Sequence, residues 1–250
     1  MKTGVLAAVM ALAVCLIPAT SSLAQDMRGM YVAPKLIYSH QKVKSSAGLA
    51  EINYKVNPGD QTKGKLGGGI AVGYDFAAQG APVRLELEYA QRAKWDFVDE
   101  KYSIAGLATA TEKARVGVSS VFANVFYDFH NYSKFTPYIG GGLGLAQLDA
   151  SYNGKISGTL DDGTVVEGRL DMNDDSWNFA WNLGAGVSYQ INDFAAVDLN
   201  YRYADFGDVS EKVKGRLLAN GLTVYEDRGG YAKADVTAHE VILGLRFFSN

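Results

Sequence analysis

Three histidines, His40, His130 and His239, are the first residues in this chain to test for catalysis, since an imidazole is the commonest general base. Hydrolysis requires a nucleophile, a base and an orienting group within hydrogen-bond reach of one another. Ser39 precedes His40 and Glu240 follows His239, but neighbours along an extended strand point to opposite faces. His130 falls in a different, turn-rich stretch. No catalytic residue is therefore assigned, and the chain reads as non-enzymatic. Asp161, Asp162, Asp171, Asp174 and Asp175 offer the oxygen ligands that a hard cation such as calcium takes. They lack the spacing and glycine of a defined calcium loop, so no metal site and no cofactor is assigned. Lys42, Lys44, Lys55, Lys63 and Lys65 could attract sulfated polysaccharide or acidic lipopolysaccharide groups by charge alone, or form a solvated loop.

A different pattern governs the remaining charges. Arg84, Glu86, Glu88 and the later Arg92 alternate with Val83, Leu85, Leu87 and Tyr89, which puts charges on one face of a strand and an apolar row on the other. The arrangement recurs in segments of about ten residues. Val32, Leu36 and Tyr38 oppose Lys35, Ser39 and Gln41; Leu66, Ile70, Val72, Tyr74 and Phe76 oppose Gly67, Gly69, Ala71, Gly73 and Asp75. Val121, Ala123, Val125, Tyr127 and Phe129 oppose Ser120, Phe122, Asn124, Phe126 and Asp128, and Ile139, Leu143 and Leu145 oppose Gly140, Gly142 and Gly144. Trp177, Phe179, Trp181, Leu183, Val187 and Tyr189 oppose Asn178, Asn182, Gly184, Gly186 and Gln190. Val197, Leu199, Tyr201 and Tyr203 oppose Asp198, Asn200 and Arg202, and Val241, Leu243, Leu245 and Phe247 oppose Glu240, Gly244 and Arg246.

Together with the Val83–Tyr89 stretch these make eight strands, an even number that suits a closed antiparallel up-and-down transmembrane β-barrel. Hydrocarbon tolerates no open sheet edge, because every backbone polar group must find a partner within the protein. The connections near Ala77 to Pro82, His130 to Thr136 and Ile191 to Phe194 are short. Those near Val43 to Lys65, Asp99 to Ala114, Asp149 to Asp175 and Gly207 to Val236 are long and polar, the asymmetry of periplasmic turns against four extracellular loops. In an eight-stranded barrel side chains fill the interior. Lys35, Asp75, Arg84, Glu86, Glu88, Asp128, Arg202, Glu240 and Arg246 are the expected internal charge network, with a narrow conducting path as the alternative. Tyr74, Phe76, Tyr127, Phe129, Tyr189 and Phe247 are the expected interfacial aromatics near the short turns.

The first residues read as an export signal: Lys2, an apolar run from Val5 to Ile17, and a small-x-small site at Ser22, Leu23 and Ala24. Residues 1–24 are thus the expected signal peptide and residues 25–250 the expected barrel. The apolar run is shorter than the roughly 20 residues a spanning helix needs. Cys15 follows Val14, where a lipoprotein signal carries a small residue, and it would leave with the leader. The mature chain then has no thiol chemistry, and its net charge shifts from -3 to -4 on losing Lys2, a balance that argues against nucleic acid as a partner. With 28 Gly, 15 Tyr, 11 Phe and 48% hydrophobic residues, yet a mean hydropathy of -0.06, the composition suits alternating lipid-facing and lumen-facing positions.

Several stretches resemble the opacity-like family of small outer-membrane β-barrel proteins: FANVFYDF from Phe122, TPYIGGGLG from Thr136, LGAGVSY from Leu183, YRYADFG from Tyr201 and HEVILGLRFF from His239. The chain departs from the family in running past Phe247 and Phe248 to Ser249 and Asn250 instead of closing on an aromatic, which bears on insertion by the outer-membrane assembly machinery. The resemblance implies a cell-surface protein of the outer membrane, in contact with its lipid and lipopolysaccharide. Its loops would serve adhesion, host or cell-surface ligands, or envelope integrity. A small porin-like channel is the alternative, and a lipid A-modifying barrel enzyme the distant third.

Overall fold

The computed structural model describes residues 29–49, 54–104, 108–159 and 163–249. The expected signal peptide, including Cys15, lies outside them. Eight antiparallel strands close on themselves, each hydrogen-bonded to its sequence neighbour and β1 to β8. They are β1 Met30–Leu49, β2 Tyr54–Asp75, β3 Val83–Ile104, β4 Ala108–Asp128, β5 Phe135–Thr159, β6 Val165–Asn192, β7 Ala195–Ala219 and β8 Leu222–Phe248.

The period-2 pattern decides which face each residue takes. Leu85 and Leu87 are 44% and 39% exposed on the outer wall, while Arg84, Glu86 and Glu88 between them are at most 6% exposed inside. Leu36, Val125, Leu143, Leu183, Leu199 and Leu243 all face outward in the same way. An apolar exterior wrapped around a polar interior inverts a soluble protein, and acyl chains are the solvent in which it is stable.

Polar side chains close the short turns. Asp75 Oδ1 accepts from Ala77 N at 2.9 Å ahead of a single 3-10 turn over Phe76–Gln79, which Gly80 ends in the left-handed region at φ 80°. Asn131 Oδ1 accepts from Ser133 N and Asn192 Oδ1 from Phe194 N. Phe76 belongs to this turn, one residue past the end of β2, not to the strand row in which alternation places it.

The upper side departs from expectation more substantially. The four stretches read as long loops are largely strand, so the barrel wall continues upward as tall hairpins and the strands run from 20 to 28 residues. A strand of about ten residues suffices for the bilayer, so much of each hairpin stands beyond it. The β7–β8 hairpin turns on Asn220 and Gly221, both at positive φ, the Asn-Gly pair that a two-residue hairpin favours. The wall is not continuous at that height. β2 and β3 pair only from Gly67 to Asp75 and from Arg84 to Arg92, and part above that point. The freed edge of β2 carries Pro58, which has no N–H, and Lys63 and Lys65, devices that blunt an exposed edge.

Candidate functional site

The interior is filled in layers. At the short-turn end, Arg246 Nε meets Asp198 Oδ2 at 2.6 Å, its NH2 meets Ser188 Oγ at 2.5 Å, and its NH1 stands 3.5 Å from Asp75 Oδ2. Arg84 grips Asp128 through both nitrogens, at 2.7 and 2.9 Å, and lies 4.9 and 4.6 Å from the ring centres of Phe126 and Tyr138. Mid-barrel, charges of alternating sign form a continuous path across the lumen. Lys35 Nζ donates to Glu86 at 2.5 Å and to Glu88 at 2.6 Å. Arg202 joins Glu88 to Glu240, each at 2.7 Å, and Arg92 reaches the other side of Glu240 at 2.8 and 3.1 Å.

All nine of the expected interior charges thus face the lumen and take part in ion pairs. Two further members belong to the same set. Arg92 is the largest fully buried side chain among the described residues, and Asp198 is the main partner of Arg246. Their strand parity marked both as inward-facing, but neither stands out by residue type alone.

Above this layer lies an apolar cluster, with Gln41, Ser176 and Asn178 at its level. Val43, Val118, Phe122, Leu148, Phe206 and Val236 pack together with alanines, none more than 2% exposed. Phe206 lies 4.6 Å above the Arg92 guanidinium and 6.4 Å from Phe122. It sits where the β7–β8 register slips between Asp205 and Asp208, on a bulge that Gly207 permits at φ 80°. Glycines of β5 and β6 make room for these contents: a methyl at Gly140 would overlap the Phe126 ring, and one at Gly144 would overlap Phe122. The cavity left among these side chains, bordered by Lys35, Arg84, Glu86, Glu88 and Arg202, is about 30 Å³, room for one or two waters.

On the outer wall the expected aromatics collect at the short-turn end, Tyr74 with Phe76 at 4.7 Å, Tyr127 with Phe129 at 5.1 Å and Tyr189 with Phe135 at 4.8 Å between ring centres; Phe247 faces outward on β8 beside Val32. A second aromatic group stands eight residues higher, from Tyr189 to Trp181 on β6 and from Phe247 to His239 on β8: Trp181 packs on Tyr203 at 5.6 Å, and Tyr203 on His239 at 5.3 Å. Lys94 crosses Gly117 on the outer wall to pair with Asp149.

Among the described residues the three histidines stay apart from Ser39 and Glu240. His40 and His239 face each other across β1 and β8 on the outer wall, Ser39 and Glu240 face each other inside it, and His130 is at the opposite end. The lysines of the first hairpin divide between faces: Lys42 and Lys44 share the outer parity of His40, whereas Lys63 and Lys65 are paired with the buried Gln41 and Ser39. The side chain of Lys55 lies outside the described ones. Asp161 and Asp162 lie outside the described residues, as do the side chains of Asp171 and Asp174; Asp175 accepts from Gln147 at 2.6 Å.

A charged row that loop-length reasoning missed crosses the outer face of the upper hairpins. Lys155 on β5 stands directly opposite Arg169 on β6, and Arg169 directly opposite Arg216 on β7. Glu167 binds Lys155 at 2.8 Å and Arg169 at 2.9 Å, and these hydrogen bonds hold its carboxyl below the usual range. With Thr111, Lys113 and Asn153, the first two cations line a shallow groove.

Residues 6–247 match the model of the outer membrane protein beta-barrel domain, and the chain belongs to that family and to the outer membrane. The chain is 32% identical to the outer membrane protein PagN of Salmonella typhimurium, over 94% of this chain and 97% of PagN. It is 25% identical to opacity protein opA50 of Neisseria gonorrhoeae, over 72% of this chain and 89% of the other. Among solved structures, Neisserial surface protein A is 16% identical over 88% of this chain and 97% of its own, with a TM-score of 0.48.

Proposed function

We propose that this chain is a non-enzymatic surface protein, in which a sealed barrel anchors rigid hairpins that contact anionic polymers on neighbouring surfaces. The carrying observation is the row Lys155, Arg169 and Arg216, three cations directly opposite one another across β5, β6 and β7. Glu167 offsets part of the charge of Lys155 and Arg169, and Arg216 stands opposite Glu226 on β8, so three cations stand against two carboxylates and the row keeps a net positive charge that attracts a polyanion. Their level, about ten residues above the last outward leucine of β5, Leu145, suits an external ligand. The filled lumen supports anchoring over conduction, and the separation of the histidines from Ser39 and Glu240 supports binding over catalysis.

Cells displaying the full chain test this with heparin as a model polyanion. The wild type should retain it in a salt-sensitive manner, and exchange of Lys155, Arg169 and Arg216 for serine should abolish most retention while leaving surface level unchanged. Equal retention by both would remove the role given to this row.

A further inference from the structure

On β1 and β8, Leu36 faces Leu243 and Tyr38 faces Val241, all four well exposed on the outer wall. One outward row higher, apolar residues stop and His40 faces His239. The same row continues to Gly64 on β2 and Tyr203 on β7. Trp181 packs on Tyr203 here, and Trp and Tyr mark the headgroup level of a bilayer. The two imidazoles therefore stand side by side where lipid phosphates lie.

Their surroundings suit an anion. The Tyr201 hydroxyl lies 2.7 Å from His239 Nδ1. When it donates there, the ring proton is on Nε2, on the other side of the ring from Tyr201. The Tyr38 hydroxyl lies over Gly64, next to His40, where any larger residue would displace it. Lys42 is the next outward residue of β1, and Lys44, one row further, is opposite Asp235. The carboxylates that approach this face are engaged: Asp205 Oδ1 accepts from Gly207 N at 2.9 Å, and Asp235 stands 3.9 Å from Lys233.

We propose that His40 and His239, flanked by Tyr38 and Lys42, form a proton-dependent site for the phosphate of an outer-leaflet glycolipid. A phosphate pairs with imidazolium and not with neutral imidazole, so binding here is linked to proton uptake and is favoured at lower pH. The site lies on the flank of the barrel, apart from the cation row of the hairpins.

The test uses the full folded chain in detergent micelles with diphosphorylated lipid A, retention being read by native mass spectrometry at about pH 5.5 and about pH 7.5. The wild type should hold lipid A more tightly at the lower pH, by roughly fivefold for each histidine that gains its charge. H40Q/H239Q should flatten this dependence, and H40K/H239K should retain lipid A at both pH values. Dephosphorylated lipid A should bind weakly and without pH dependence. Retention that ignores pH in the wild type, or survives unchanged in H40Q/H239Q, overturns the proposal. Inorganic phosphate that occupies the site as well as lipid A does, read by its displacement of the lipid, overturns the lipid assignment.

Discussion

Inside the barrel, each guanidinium reaches a carboxylate on another strand, and the most heavily shared partner is Glu240, which receives both Arg92 and Arg202. Removing one member of a buried pair leaves the other desolvated and uncompensated, at a cost of about 3–5 kcal/mol. Glu240→Gln keeps the shape but leaves Arg92 without a carboxylate and Arg202 with Glu88 alone. It should lower stability in denaturant titrations by about that amount, whereas Glu167→Gln, in the exposed pair with Lys155 and Arg169, should leave the midpoint nearly unchanged. Equal, small losses in the two variants would mean that the internal path adds little to stability. Most of this network was legible in the sequence because strand parity alone assigns a face: Glu86 and Glu88 on β3 had to point where Leu85 and Leu87 do not. Which charge meets which was not legible. Glu88 and Arg202 are 114 residues apart, and only barrel closure and tilt bring them to one level.

At the scale of elements, alternation located the eight strands but not their upper ends. In the upper half of β5 the outward parity turns polar at Ser151, Asn153 and Lys155, and in β6 at Glu167 and Arg169, so the lipid-facing apolar row that marks the strands lower down stops there. Backbone pairing carries them upward, since Phe135 to Thr159 stays in unbroken register with Val165 to Tyr189. The cation row was missed for the same reason: once Lys155 and Arg169 are assigned to loop, their alignment cannot be seen. The bulge at Phe206 and Gly207 is the corresponding irregularity on β7. Gly207→Ala places a side chain at φ 80° and a Cβ against Asn178. It should destabilise by at least the roughly 1–2 kcal/mol of a left-handed alanine; Gly163→Ala, also at positive φ but with open space around it, should lose only the backbone part. A Gly207→Ala midpoint equal to wild type would remove the bulge as a structural requirement. Facing itself is open to measurement at Leu85 and Leu87. Single cysteines there should react with lipid-soluble thiol reagents and resist water-soluble ones, and the reverse preference would place β3 wrongly.

For the whole molecule, layering decides what the barrel can do. Aromatic and ionic contacts near Arg246, the mid-barrel charge path and the apolar layer around Phe206 succeed one another along the lumen, and the cavity bordered by Lys35, Arg84 and Arg202 has room for only a water or two. That content makes the barrel an anchor and moves function to the hairpins above and the lipid belt around it. Its rigidity also implies resistance to detergent, so the unheated chain should migrate on gels as a compact species and shift on boiling; identical mobility would argue against closure.

The most direct test of a sealed anchor is electrical. Purified folded chain inserted into planar bilayers should give no sustained single-channel current above the lipid background, across a range of voltage and at both neutral and mildly acidic pH. Steady, protein-dependent conductance would contradict the sealed lumen and return the chain to the class of small channels.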